Sequence, residues 1–198
     1  MLGILIYCIG IMYTPGPVNI LSLNIGIQHP PAKHISFCLG VACALFFWFL
    51  LIGYTGSTVI NGKAMPIIAA AGTCFICYLA FKIIAAEVKT TDENSLSPVG
   101  FKEGFLMQLL NPKSFLAVLP VTTVQFPAAG IDGAAIALWS SGLGLLGFGA
   151  PFVYAVFGST VTRHISGSSY FKYFNLVMGV MLLAVAVDMA YEHVYLAL

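Results

Sequence analysis

Thirty-two residues pass before the first charged side chain, Lys33, and residues 133–161 carry no charge at all. Runs of that length cannot be wrapped into a water-soluble globule, whose surface requires about 25% charged residues. Here 8% of 198 residues are charged and 60% are hydrophobic. A soluble enzyme and a disordered chain are excluded on that ground. A nucleic-acid binder is excluded because a net charge of +1 leaves no basic patch. The remaining class is an all-α membrane protein, each span of which needs about 20 apolar residues. The first apolar run is expected to be a retained span. It lacks the Lys/Arg n-region and the small-residue cleavage site of a signal peptide.

Charges and turn residues divide the chain into six expected transmembrane helices: 2–27, 35–59, 66–86, 104–125, 133–161 and about 170–188. Lys82 falls inside the third and is expected to snorkel to the interface. Residues 89–102 form the longest polar loop. They separate a first transmembrane unit, 1–88, from a second, 103–198. The loops after spans one, three and five hold Lys33, then Lys82, Lys89 and Lys102, then Arg163 and Lys172, against Lys63 alone on the other side. The positive-inside rule puts the odd loops in the cytoplasm and both termini outside.

The eighth cation, Lys113, belongs to neither face. It lies eleven residues past Lys102, roughly 16 Å at about 1.5 Å per residue, which is near the middle of a core about 30 Å thick. A lysine there costs at least about 2.5–3.5 kcal/mol, so it needs partners. Its neighbours read Leu110-Asn111-Pro112-Lys113-Ser114. Asn is a preferred N-cap and Pro a preferred first helical residue, so span four is predicted to stop and restart here. Span one carries a counterpart, Thr14-Pro15-Gly16-Pro17-Val18-Asn19, through which no regular helix continues. Thr14 is predicted to cap the second half-helix and Pro15 to begin it. The breaks fall in the first spans of two three-span halves, which an odd span count makes two inverted three-helix repeats. Broken helices at matching positions of inverted halves are the sequence pointer to a transporter site.

Two half-helix N-termini and a lysine at one depth form an anion-attracting centre. No Asp or Glu lies between residues 2 and 86, or between 105 and 130, to neutralise it. A small substrate's carboxylate fits that field. The alternatives are that the prolines only kink the helices and that Lys113 only satisfies carbonyls freed by the break.

At these residues the chain resembles the LysE/RhtB family of bacterial amino-acid exporters. The match is Tyr13-Thr14-Pro15-Gly16-Pro17-Val18-Asn19 in span one and Phe105-Leu106-Met107-Gln108-Leu109-Leu110-Asn111-Pro112-Lys113 in span four. The resemblance implies efflux of amino acids or close metabolites across a bacterial plasma membrane, driven by protons. It implies functional positions at Pro15, Gly16, Pro17, Asn111, Pro112 and Lys113. Thr14, Asn19 and Gln108 join them from the residue reading, as polar groups within a turn of a break. With no acid in spans one to five, a neutral amino acid is favoured over a basic one. Asp188, the substrate's own amine or Lys113 is left as proton carrier. No cofactor, metal or nucleic-acid partner is expected, and the sequence leaves the oligomeric state open.

Other signals weigh less. Cys74-Phe75-Ile76-Cys77 has redox spacing and keeps a membrane thiol-disulfide carrier as an alternative, beside a passive small-solute channel. It lies in an apolar helix away from cations that would lower a thiol pKa, and no cysteine is placed beside either break. Gly142-Leu143-Gly144-Leu145-Leu146-Gly147 matches the dinucleotide fingerprint without its strand, and with Gly149 and Pro151 reads as close helix packing or bending. Ser22, Ser114 and Asn175 are expected to hydrogen-bond between helices. His29, His34, His164 and His193 are assigned to loops or span ends, at the headgroups.

Overall fold

The computed structural model describes residues 1–56, 64–84, 99–162 and 168–191. Among these every regular element is helical: α1 (Leu2–Met12), α2 (Pro17–Gln28), a 3-10 turn (Pro31–His34), α3 (Ile35–Thr55) and α4 (Ala64–Ile84). Then follow α5 (Phe101–Leu109), α6 (Pro112–Pro120), a π-helical turn (Val121–Gln125), α7 (Phe126–Ala128), α8 (Gly133–Thr162) and α9 (Ser168–Ala190). Among the described residues two helical stretches, Pro31–Thr55 and Gly133–Thr160, are long and apolar enough to cross a membrane, and α1 and α2, bent by 61° at their break, pass the same test when taken together as one span. The predicted spans at 66–86 and 170–188 coincide with α4 and α9 to within about two residues. Most of the 89–102 loop, Lys63, Arg163, His164 and His193 lie outside the described residues, as do the side chains of Lys82, Lys172, Asn175 and Asp188.

Both breaks are present, with one correction to the first. Span one restarts at Pro17, not Pro15. A residue before proline is pushed out of the helical region, and Gly16 takes an extended conformation (φ −169°, ψ 175°) as N-cap. Thr14 is not the cap: its hydroxyl turns back to donate to the Ile11 carbonyl. Span four breaks as read, with Asn111 as N-cap and Pro112 in the first turn. Its remainder is not one helix, because Pro120 sits inside α6 and the chain widens into the π turn. There the Thr122 and Thr123 hydroxyls donate to the Val118 and Leu119 carbonyls.

Packing around the breaks is lopsided. α2 lies along α8 and α5 along α3 in extensive contact, whereas α1 touches α8 and α6 touches α3 only slightly. Glycine makes the close approaches possible. A Cβ on Gly26 would fall on the Ala155 backbone, and one on Gly158 would meet the Leu23 carbonyl. Across the other pair, a Cβ on Gly40 would strike the Phe101 carbonyl and one on Gly104 the Phe37 carbonyl. α2 and α5 are the halves nearest the odd loops, so the tight seams lie at that face. In α8, Gly144 and Gly147 face α3, and Gly149 accommodates the Tyr13 hydroxyl, as the packing reading expects. Among the described residues, a Cβ on Gly142 would meet nothing within 4 Å beyond its own helix.

Candidate functional site

Breaking a helix leaves carbonyls without N–H partners, and each must find another donor. Between α1 and α2 five consecutive carbonyls do so through side chains. Thr14 Oγ1 donates to Ile11 O at 2.7 Å. Asn19 Nδ2 donates to both Met12 O and Thr14 O, at 2.9 Å each. Tyr154, from α8, donates to Tyr13 O at 3.0 Å. Lys113 Nζ, from α6, donates to Pro15 O at 3.3 Å and to Thr14 Oγ1 at 2.7 Å. Lys113 therefore meets the break between α1 and α2 rather than only its own.

The second break is held differently. Trp48 Nε1 in α3 donates to Leu109 O at 3.2 Å. Asn111 Oδ1 accepts from Lys113 N at 3.0 Å, and Asn111 O accepts from Ser114 N. The first turn of α6 is thus self-capped, which corrects the expectation that both half-helices present free N–H groups. α2 has no side-chain cap, and among the hydrogen bonds of the described residues none engages the N–H of Gly16, Val18 or Asn19. Lys113 Nζ sits at that terminus, 3.5 Å from where a Gly16 Cβ would be. The positive field is concentrated at α2, and no acceptor that Lys113 contacts carries a negative charge.

A cavity of about 50 Å³ opens between the two breaks, space for a few water-sized groups. Of the nine sequence-predicted residues, Thr14, Gly16, Pro17, Asn19, Gln108, Asn111 and Lys113 line it. Pro15 contributes only its carbonyl, and the Pro112 side chain is outside the described ones. Gln108 is 8% exposed and its amide has no hydrogen-bond partner among the described residues. Ser114, expected to bond another helix, also faces the cavity with its hydroxyl unpartnered there.

Sequence reading missed several residues. Cys8 and Met12, one turn apart on α1, line the cavity with Phe49 and Pro151. Cys8 corrects the statement that no cysteine lies beside a break. Its spacing from Met12 puts both on one helix face, and that was the available signal. Tyr154 and Trp48 carried no local signal, since the carbonyls they hold lie 141 and 61 residues away. No group of three or more His, Cys, Asp or Glu able to hold a metal occurs among the described residues.

Comparison with known proteins agrees in kind. A family model described as LysE type translocator matches residues 9–193. A cysteine/O-acetylserine efflux protein of Escherichia coli O139:H28 is 27% identical over 181 residues, covering 90% of this chain and 91% of that protein. Proteins of the same description from Escherichia coli K12 and Shigella sonnei are 31% identical over 117 residues, 58% of this chain and 60% of theirs. No solved structure matches.

Proposed function

This chain belongs to the LysE type translocator family, and from that premise we propose that it exports a small neutral amino acid or close metabolite by proton antiport, through the cavity between the two breaks. The observation that carries the reading is the pairing of Lys113 with the uncapped α2 terminus. Backbone N–H groups, the helix dipole and an ammonium converge there, and a substrate carboxylate satisfies all three. Gln108 and Ser114 stand ready for the amine or a polar side chain, and Cys8 and Met12 line the same cavity. That wall suits small sulfur-bearing or ester-bearing amino acids such as the cysteine and O-acetylserine named for the relatives.

Two inverted halves of three spans each, 1–88 and 103–198, account for the pairings around the breaks. α8 donates Tyr154 to the first break and packs through Gly158 on Gly26; α3 donates Trp48 to the second and packs through Gly40 on Gly104. With the odd loops cytoplasmic and both termini outside, the seams close the cytoplasmic face, and the loosely packed α1 and α6 leave the outer face free to open. Exchange of those packings between halves would carry substrate outward across a bacterial plasma membrane.

The test is uptake of labelled cysteine or O-acetylserine into inside-out proteoliposomes under a proton gradient. A charge-assisted hydrogen bond contributes about 1.5–3 kcal/mol, so Lys113→Ala should weaken substrate binding roughly 10- to 100-fold and remove export while the variant still purifies as a single species. Wild-type rates from that variant would sink the proposed role. Uphill accumulation by the wild type would eliminate a passive channel.

A further inference from the structure

His34 stands apart from the cavity and from every role assigned above. The sequence places it at the headgroups, yet it is 1% exposed. Its Nε2 lies 2.9 Å from Ser22 Oγ in α2, and its ring stacks on Phe37 of α3 at 4.6 Å and 19°. Ser22 is four residues before Gly26, and Phe37 supplies the carbonyl that Gly104 packs against. One imidazole therefore bridges the α2–α8 and α3–α5 seams.

The hydrogen bonds favour one tautomer. Ser22 has a single hydroxyl hydrogen, placed to donate to Val18 O at 2.8 Å. With that hydrogen so used, Ser22 Oγ accepts from His34, and the tautomer that fits carries the ring proton on Nε2. Nδ1 is then a bare lone pair, buried, with no partner among the described residues. A proton added at Nδ1 would make a buried cation with a donor and no acceptor, which low-dielectric packing opposes strongly. Among the described residues of the neighbouring elements, the only acid is Glu103, on α5. α2 contains no titratable residue and α8 only Tyr154, held at the first break. Along α3 the nearest is Cys38, and α5 contributes Lys102 and Glu103, whose carboxylate accepts from Gly100 N. Lys33 stands in the same turn and His29 caps the end of α2; burial, then the charge of Lys33, holds His29 below the ordinary imidazole value.

We propose that His34 is a proton-binding site that latches the two seams: neutral, it locks them shut, and protonated, it holds them open. The latch admits His34⁺ only once α2 has moved away and water reaches Nδ1, so acid favours the open seams and base the closed ones. Its use in transport, opening the cytoplasmic side for loading, rests on the export reading; the latch itself does not.

The experiment is hydrogen–deuterium exchange of α2 peptides in the purified full chain, corrected for intrinsic rates, at pH 7.5 and 5.5. One proton taken up at about pKa 6.5 multiplies the open population about tenfold between those values, and α2 protection in the wild type should fall by that factor. His34→Gln keeps a donor for Ser22 but cannot titrate, and should show no such fall. Ser22→Ala keeps the titrating ring and removes its acceptor, so protection should be lower at pH 7.5 and still fall in acid. A pH-independent wild type, an acid response surviving in His34→Gln, or unchanged protection in Ser22→Ala would each overturn the latch. A wild type that responds in exchange but moves no amino acid would overturn export and leave the latch standing.

Discussion

Replacing Gly26 by alanine tests whether backbone contact between α2 and α8 is what closes this face. The added Cβ would lie 2.6 Å from both the carbonyl carbon and Cα of Ala155. All its nearest atoms are backbone, so no rotamer change relieves the clash, and the helices must part by about 1 Å to restore ordinary contact. Overpacking costs about 1–3 kcal/mol, and rigid atoms on both sides point to the upper end. Alanine returns about 1 kcal/mol of helix propensity, leaving a net loss of about 2 kcal/mol. At about 2–4 °C per kcal/mol for a chain of this size, the melting temperature should drop by about 4–8 °C. Gly10→Ala is the control, because among the described residues nothing beyond its own helix lies within 4 Å of its Cβ position in α1; propensity alone should raise the melting temperature by about 2–4 °C. The assay is a thermal ramp in detergent followed by size-exclusion chromatography of the surviving monodisperse protein. Equal or same-sign shifts for the two variants would refute the argument that Gly26 is selected by contact rather than by helix flexibility.

Two further outcomes separate structural from chemical roles. Tyr154→Phe and Trp48→Phe each remove a donor from a break carbonyl while keeping an aromatic ring. Each should cost about 1–3 kcal/mol, seen as a lower melting temperature, and unchanged melting in both would remove them from the account of how the breaks are held. Replacing Cys8 and Cys38 by alanine and Cys43, Cys74 and Cys77 by serine should leave export running, with an altered KM from Cys8 alone. Loss of all transport in the five-fold variant would instead favour a thiol-disulfide carrier.

The breaks were legible because proline and its neighbours act locally. Asn111-Pro112 does what its residue types dictate, capping and starting α6. Thr14-Pro15-Gly16-Pro17 was misread at Pro15 because it offers two prolines as first helical residue, and only the extended conformation of Gly16 selects the second. Asn19 was placed at the site as a polar group within a turn of a break; the structure turns its amide onto two carbonyls while leaving it at the cavity wall. His34 was misplaced because charge scarcity marks where spans end but says nothing about which side chain the end of a neighbouring helix will cover.

By itself the sequence determined that the chain is helical and lives in lipid, that two helices break, and that a lysine sits at one break with no acid to balance it. Those are consequences of composition, of proline's missing N–H and of the spacing of a few charges. Only the tertiary structure decided that Lys113 crosses to the break in span one, that of the two half-helix starts α2 is the one without a side-chain cap, and that glycine seams bury His34 against Ser22. These facts depend on which groups meet across long stretches of chain, 98 residues for Lys113 and Pro15. Helix–helix approach fixes that, and no local pattern encodes it.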